Sequence, residues 1–336
     1  SSQKYFFNLL ERNSRYKIVV NYENQILSSN TLEVNIKKDK DLSGTDLEKQ
    51  VEDDRGDEEI SHGRIFYADK LLATPCTDGT YDIQSRTCGS GTDGIAYPHP
   101  QDYALTILPG DTILIREGTY GRHNNTFNRD RVMQIAVSGK EGEPITYQAY
   151  NNEKVIFDPN GGPGVISTVK KSDNPSSWLE IVGYLEHIAF SGIEVQNASY
   201  GFYIRNGSKS FTIENNIVHD NTEVGIFVVE QGGVRTDGRN LNSGHHTIRN
   251  NEVYNNYIGI AVKGEYNIIE GNHAHHNYRA SYPYNSDGIG VAGDYGTIRN
   301  NIVHDNSDDG LDIGDGQASE GERRGPRWNL VYGNVV

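Results

Sequence analysis

Four aspartates near the end of the chain have the residue type and grouping that suit cation binding. Asp287 lies in a Ser-Asp-Gly-Ile phrase, and Asp308, Asp309 and Asp312 lie in a later Asp-Asp-Gly-Leu-Asp phrase. An Asp-Gly pair on its own is a common turn dipeptide. The chemistry therefore depends on whether the fold brings the two phrases together.

Both phrases belong to a set of internal repeats. An Ile-x-x-Asn phrase is followed by a Gly-aliphatic-x-aliphatic phrase at 213–216 and 225–228, 248–251 and 259–262, 269–272 and 288–291, and 298–301 and 310–313. A repeat of about two dozen residues with insertions at one corner indicates a solenoid. Each phrase predicts one short strand, and the consensus of a leucine-rich solenoid is missing. We predict an all-β fold, a right-handed parallel β-helix.

Stacking the repeats places their side chains in columns. Because side chains alternate along a strand, one set of aliphatic residues turns inward. We expect the inward pairs to be Phe202/Ile204, Ile226/Val228, Ile260/Val262, Ile289/Val291 and Leu311/Ile313. The asparagine that ends each first phrase falls at a corner, where asparagine tolerates the left-handed conformation and stacked amides can hydrogen-bond along the axis. These asparagines are Asn216, Asn251, Asn272, Asn301 and Asn334, and a second corner is marked by Gly201, Gly225, Gly259, Gly288 and Gly310.

The same alignment brings the four aspartates together. Asp287 should lie beneath Asp309, about 4.8 Å away along the stack, with Asp308 and Asp312 beside them. Carboxylates at such distances repel one another unless a cation lies between them. An oxygen-only ligand set suits Ca²⁺, so the sequence predicts a calcium site on the outer face of the solenoid.

Eight histidines crowd the same half of the chain and resemble a metal cluster in composition. They are His187, His219, His245, His246, His273, His275, His276 and His304. His219 and His304 fall at the same position of their coils. We interpret the set as stacked surface or corner residues rather than as a metal site.

The aspartate phrases resemble the N-x-D-G and N-S-D-D-G-W-D motifs of polysaccharide lyase family nine, the right-handed β-helical pectate lyases. They read Asn-Ser-Asp-Gly at 285–288 and Asn-Ser-Asp-Asp-Gly-Leu-Asp at 306–312, with Leu311 in place of the tryptophan. The resemblance implies a catalytic calcium held by Asp287, Asp308, Asp309 and Asp312. The general base of that family is a lysine in a downstream G-N-G-F-K-like motif, which this sequence lacks. The catalytic base is therefore unassigned, and we expect it after Val336 unless the activity is absent.

Two classes of function follow. The first is a Ca²⁺-dependent lyase that cleaves uronate polysaccharides such as pectate by β-elimination, with an acidic polysaccharide as its partner. In that class Tyr203 and Phe227, on one outward column, would stack against sugar rings, and Lys263 would contact substrate or serve as an in-chain alternative base. The second is a non-catalytic β-helix that binds carbohydrate, adheres or assembles and uses calcium structurally. A uronan epimerase also remains open.

Composition limits the classes of molecule that the protein is expected to bind. The 336 residues include 31 basic and 46 acidic side chains, for a net charge of −15. This balance argues against nucleic acid, whose binding depends on basic patches. The sequence has no apolar run long enough for a membrane span.

Cys76 and Cys88 bracket a short loop, and a disulfide there would suit a secreted or cell-surface protein. The sequence leaves the oligomeric state open.

Three segments are expected along the chain. Residues 1–38 carry two alternating strands and resemble the end of a fibronectin type III domain, a partial β-sandwich segment with Tyr16 as its tyrosine corner. Residues 39–62 are dense in charge and form an acidic linker. Residues 63–336 form the β-helix, which we expect to be truncated at its C-terminal end.

Overall fold

The computed structural model describes the chain in several stretches. They are 63–103, 106–123, 131–168, 185–205, 207–228, 244–280, 286–314 and 326–336, together with the backbone of 17–20 and 34–37. Contacts divide the chain into two compact units, Ser1–Ile60 and Ser61–Val336.

The first unit contains one antiparallel strand pair. Strand β1 (Lys17–Val20) pairs with β2 (Val34–Lys37), and Ile18 lies opposite Ile36. The predicted strands are therefore present. Tyr16 and the predicted linker at 39–62 lie outside the described residues, and the resemblance to a fibronectin type III domain stays a prediction.

The second unit is a parallel β-helix, as the repeats predicted, and its coils form three walls. Sheet 1 consists of β3 (Ile65–Ala68), β4 (Cys76–Tyr81), β5 (Gly94–Tyr97), β6 (Thr112–Ile115), β9 (Ile145–Ala149), β12 (Glu186–Ser191), β15 (Lys209–Glu214), β18 (Thr247–Arg249), β21 (Ile268–Glu270), β24 (Thr297–Arg299) and β27 (Leu330–Tyr332). Sheet 2 consists of β7 (Gly118–Tyr120), β10 (Val155–Phe157), β13 (Ile193–Gln196), β16 (Ile217–His219), β19 (Glu252–Tyr254), β22 (His273–His275) and β25 (Ile302–His304). Sheet 3 consists of β8 (Met133–Ile135), β11 (Ile166–Thr168), β14 (Tyr200–Ile204), β17 (Val224–Val228), β20 (Ile258–Lys263), β23 (Ile289–Ala292) and β26 (Leu311–Ile313).

Each full coil thus has three strands where the sequence reading expected two. The first phrase of each repeat and the residues after it form two strands in different sheets, such as β24 and β25. The bend between them is made by the residue before the corner asparagine, which has positive φ: 54° at Asn250, 64° at Gly271 and 54° at Asn300. The left-handed residue is therefore one position earlier than predicted.

The corner asparagines form the predicted ladder. Asn251 donates its amide to Asn272 Oδ1 at 3.0 Å, Asn272 donates to Asn301 Oδ1 at 3.0 Å, and each amide also reaches a backbone carbonyl of the coil below. A second ladder, which the sequence reading missed, runs along the corner between sheets 2 and 3 through Asn221, Asn256, Asn277 and Asn306. Two rows of buried amides, with their hydrogen bonds satisfied, fix the register of the coils.

The aliphatic columns fill the interior. Ile226 pairs with Ile260, Ile260 with Ile289 and Ile289 with Leu311, and the three isoleucines are fully buried. The predicted corner glycines have a different cause from the one expected. At Gly288 a Cβ would lie 2.3 Å from Val303 Cγ1 and 2.8 Å from Gly310 O. These glycines are required by close approach of neighbouring coils, not by positive φ.

The N-terminal coils are held by polar groups and a crosslink. Cys76 and Cys88 form a disulfide with a Cα–Cα distance of 5.5 Å. Asp69 is fully buried, where it pairs with Arg86 at 2.6 Å and accepts a 2.6 Å hydrogen bond from the Tyr81 hydroxyl. Two short 3₁₀ helices, Pro100–Tyr103 and Tyr150–Asn152, interrupt the strands. No helix in the described stretches has the length and apolar character needed to span a membrane.

Candidate functional site

The aspartates lie at the edge where the chain enters sheet 3. Asp287 lies two residues before β23, Asp308 and Asp309 lie shortly before β26, and Asp312 is within β26. Gly290 is the register partner of Asp312, and the Gly288 N–H donates to Asp309 O at 2.9 Å. The same offset sets Asp287 against Asp309 on the next coil. The structure therefore brings the two phrases together as the repeat alignment predicted.

The pKa of Asp287 reflects its burial and the carboxylates close to it. Burial, together with the charges of Asp312 and Asp308, raises the pKa of Asp287 to about 6, against a hydrogen bond from the Asp309 backbone that lowers it. Asp308 and Asp309 are exposed, whereas Asp287 and Asp312 are half-buried. A bound cation would stabilise the charged form of a half-buried carboxyl group that lies beside other carboxylates.

The donor set fits a hard divalent cation. All four side chains offer oxygens, which suits Ca²⁺ better than a transition metal. The Ser286 hydroxyl beside them is buried and finds no hydrogen-bond partner among the described residues, which is typical of a site shaped around an additional group. In the described stretches no three of these carboxylates have oxygens within 4.8 Å of one another, so ion binding would draw them inward.

An outward column of sheet 3 leads from aromatic residues to the aspartates. Register pairs Tyr203 with Phe227, Phe227 with Ala261, Ala261 with Gly290 and Gly290 with Asp312. The rings of Tyr203 and Phe227 are stacked, with centroids 5.5 Å apart and an interplanar angle of 8°. Between Phe227 and Asp312 the column carries only the small residues Ala261 and Gly290, so the aromatic stack lies at one end and the aspartates at the other.

Basic residues also lie on this side of the β-helix. Lys263 lies on the outward face of β20 and pairs in register with Ala292. Arg279 contacts Glu223 at 3.1 Å and lies 5.0 Å over the ring of Tyr257. Arg279 also lines an open depression of about 500 Å³ at the same edge of sheet 3, together with Asp220, Asn221, Thr222, Asn255, Tyr257, Tyr278 and Ala280. The repeat alignment did not identify this depression, because Tyr278, Arg279 and Ala280 fall outside the repeated phrases.

Three of the eight histidines share one stacked column, as predicted for His219 and His304, whereas His246 is buried and not a surface residue as expected. His219 stacks on Tyr254 (ring centroids 4.8 Å apart), Tyr254 on His275 (5.2 Å) and His275 on His304 (5.3 Å). This column lies on sheet 2, on a different wall from the aspartates.

The second unit is thus a three-walled parallel β-helix with an aspartate cluster and an aromatic column on one wall. The chain belongs to the Pel9A-like, right handed β-helix family, whose model matches residues 100–321. The aspartate phrases from Asp287 to Asp312 lie inside that match.

Individual relatives are more distant. A pectate lyase, PEL9, from Emericella nidulans is 32% identical over 102 residues, which is 30% of this chain and 23% of that protein. The solved structure of pectate lyase Pel9A has a TM-score of 0.48 at 19% identity and covers 82% of this chain and 58% of that one. A rhamnogalacturonan lyase has a TM-score of 0.47 at 18% identity, with coverage of 82% and 63%. The chain thus spans less than two thirds of each of these relatives.

Proposed function

We propose that this protein is a Ca²⁺-dependent polysaccharide lyase that binds uronate polysaccharides such as pectate and cleaves them by β-elimination. The observation that carries the proposal is the crowding of Asp308, Asp309 and Asp312 around the half-buried Asp287, at the end of the outward column that contains Ala261 and Gly290. The similarity to a pectate lyase supports the substrate class.

The residues along this column would have different roles in the reaction. Calcium bound by the aspartates would neutralise the uronate carboxylate and favour loss of the neighbouring proton. A base takes that proton, the electron pair forms a carbon–carbon double bond, and the glycosidic oxygen on the next carbon leaves. Phe227 would pack against a sugar ring. From Phe227 to Asp312 the column spans three coils, about 14 Å at about 4.8 Å per coil, which is room for more than one sugar unit.

The acidic composition makes the metal necessary for binding. With a net charge of −15, the chain as a whole repels a polyuronate, so attraction must be local. Lys263 and Arg205 lie on the outward face of sheet 3 and would add cationic contacts for substrate carboxylates. The Cys76–Cys88 disulfide supports a secreted or cell-surface location, where such polysaccharides occur.

The first experiment measures calcium-dependent binding of polygalacturonate by the whole chain. We expect Asp309→Ala to weaken calcium binding, and with it polysaccharide binding, at least about tenfold, because a ligand is lost. Asp78→Ala is the matched control, since Asp78 is an exposed aspartate that bonds only locally to Thr80. Equal calcium binding by wild type and Asp309→Ala would remove the proposed site.

The second experiment asks whether the chain also eliminates. Ultraviolet-absorbing unsaturated ends are followed on pectate and alginate at alkaline pH with Ca²⁺, for wild type, Lys263→Ala and the exposed control Lys140→Ala. Product that depends on Lys263 makes that residue the base, and product that survives its removal places the base elsewhere. Calcium and polysaccharide binding without product on any uronan would replace the lyase with the non-catalytic binding module.

A further inference from the structure

A second cluster of ligand-type side chains lies on sheet 2. His273 and His275 both point outward from β22, because they are two residues apart on one strand. Register pairs Glu252 of β19 with His273 and pairs His275 with His304 of β25. Four side chains from three neighbouring strands therefore share one patch of the outer surface.

The distances within this patch are short. His273 Nε2 lies 2.8 Å from His304 Nε2, and His275 Nε2 lies 3.5 Å from Glu252 Oε1. The ligand atoms of Glu252, His273 and His275 all lie within 4.8 Å of one another.

Stacking accounts for only one of the two columns involved. The column of His219, Tyr254, His275 and His304 is an aromatic stack. The neighbouring column reads Ile217, Glu252, His273 and Ile302, and nothing about stacking requires a carboxylate and an imidazole there. Glu252 and His273 lie beside the part of the stack that contains His275 and His304.

Two of the imidazole rings are held in orientation by contacts to their other ring nitrogen, Nδ1. His304 Nδ1 contacts Asp305 Oδ2 at 2.8 Å, which directs Nε2 of the same ring toward His273. His275 Nδ1 contacts His276 Nδ1 at 2.7 Å, which directs its Nε2 toward Glu252. A carboxylate or another group that holds one ring nitrogen while the other faces a common centre is the arrangement found around metal-binding histidines.

The ring of His275 turns its Nε2 toward Glu252. This Nε2 is shielded from solvent and makes no hydrogen bond in the described part of the chain, since the Glu252 carboxylate lies 3.5 Å away. A shielded ring nitrogen that has a carboxylate and the His273 imidazole within reach but no hydrogen bond is an unmet ligand position.

We propose that His273, His275, His304 and Glu252 bind a divalent transition-metal ion of the Zn²⁺ class. Three imidazole nitrogens and one carboxylate are a tetrahedral ligand set for zinc. With metal–nitrogen bonds of about 2.0–2.1 Å, nitrogens in a tetrahedral site lie about 3.3 Å apart, so the rings of His273 and His304 need to separate only slightly. The nitrogen ligands select against Ca²⁺, and this site is therefore independent of the aspartates.

The test is titration of the untagged full chain with Zn²⁺, followed by calorimetry, and with Co²⁺, followed by its visible absorption. We expect one ion per chain in addition to any bound by the aspartates. His273→Gln and His304→Gln should each weaken binding at least about tenfold. His245→Gln is the matched control, because His245 is exposed and stacks on Tyr266 at another corner. Binding should weaken in acid, since protonated imidazoles cannot bind metal.

Three outcomes would overturn the proposal. One is equal Zn²⁺ affinity in wild type and both cluster variants. Another is loss of Zn²⁺ binding in Asp309→Ala with retention in His273→Gln, which would place the ion at the aspartates. The third is equal weakening by His245→Gln. His304 is exposed, so His304→Gln should keep the wild-type melting temperature without metal, and its result is readable even if His273→Gln folds poorly.

Discussion

The aspartate cluster is built on two coils and the histidine cluster on the same two coils and the one before them, but the clusters lie on different walls and differ in what stacking does to them. On sheet 3 the coils place carboxylates above carboxylates, and burial together with the neighbouring charges raises the pKa of Asp287. On sheet 2 the coils place imidazole above imidazole, so that His275 and His304 stack, and burial together with His273 lowers the pKa of His275. A solenoid places the same repeat position of successive coils side by side. Neighbouring coils can therefore carry a carboxylate set that suits hard cations on one wall and an imidazole set that suits borderline cations such as Zn²⁺ on another.

Both clusters depend on the same scaffold. The backbone that carries them is held between coils by the two asparagine ladders, and the strands that carry them pack through the buried Val291 and Val303. Changes to the scaffold should therefore damage both clusters, whereas changes to one wall should spare the other. The following predictions test that distinction in order of decreasing effect.

Asn272→Ala should cause the largest loss. Asn272 donates to Ile248 O at 2.9 Å and accepts from the backbone and side chain of Asn251 at 3.1 and 3.0 Å. Alanine leaves these buried groups without partners, at about 1–3 kcal/mol each, so we expect the free energy of unfolding to fall by about 3–5 kcal/mol in urea denaturation. Calcium and zinc binding should both weaken.

The control for that variant is Asn300→Gly, at the same corner one coil away. Asn300 is exposed with a φ of 54°, and Gly271 and Gly333 occupy the equivalent positions with φ of 64° and 67°. Glycine adopts this conformation freely, so stability should change by less than about 0.5 kcal/mol. A loss as large as that of Asn272→Ala would show that the amide ladder is not what holds the coils.

Gly288→Ala should lower stability less than Asn272→Ala does, and Gly290→Ala serves as its control. A Cβ on Gly288 would lie 2.3 Å from Val303 Cγ1 and 2.6 Å from Asn306 Nδ2, whereas one on Gly290 would meet nothing closer than 3.8 Å. Overpacking costs about 1–3 kcal/mol, so Gly288→Ala should lower the melting temperature and weaken calcium binding, and Gly290→Ala should leave stability unchanged. Equal melting temperatures would contradict the close packing of these coils.

Part of this organisation could be predicted from the sequence. Repetition identified the solenoid, the inward columns and the stacking of Asp287 on Asp309, because a parallel stack converts equal repeat positions into neighbours. The third strand of each coil was missed because Asn300 and Asn301 were read as one corner at a strand end, although the positive φ at Asn300 starts a new wall. The second ladder at Asn256 was missed because its residues lie between the phrases that define the repeat.

The histidine cluster could not have been assembled from the repeat alone. His219 and His304 repeat in one column, which correctly indicated stacking. His273 is in the other outward column of sheet 2, and its contact with His304 depends on side-chain direction. Pairing Glu252 with His273 requires the register between β19 and β22, which follows only when the corner between sheets 1 and 2 is placed.

Asp287→Asn should change the pH dependence of stability in the metal-free chain. The pKa of Asp287 is raised to about 6, above the value of about 3.9 in an unfolded chain. Folding therefore disfavours the carboxylate, and wild-type stability should fall as pH rises from about 4 to about 6 and then stay level. Solvent screens this half-exposed group, so we expect a loss of about 1 kcal/mol. Melting temperatures in chelator should decline over this range for wild type but stay flatter for Asp287→Asn.

Calcium tests the same variant in the opposite direction. Because the ion removes the repulsion among the aspartates, wild type should gain melting temperature when calcium is added, as any ligand of the folded state requires. Asp287→Asn should gain much less. Parallel pH curves for the two proteins in chelator would show that the aspartates do not repel one another in the folded chain.

The smallest expected effect is coupling between the two clusters, and it is the sharpest test of their independence. Their side chains point outward from different walls, and solvent and salt screen charges across such a surface at physiological ionic strength. We therefore expect saturating Zn²⁺ to change calcium affinity by less than about twofold at about 0.15 M salt, with the reciprocal change of the same size, since linkage between two binding sites is symmetric. Calorimetric titration of Ca²⁺ with and without Zn²⁺, repeated for His304→Gln, measures it. A larger coupling that disappears in His304→Gln would mean that the coils transmit strain between walls. A larger coupling that persists in that variant would mean that both ions compete for the aspartates.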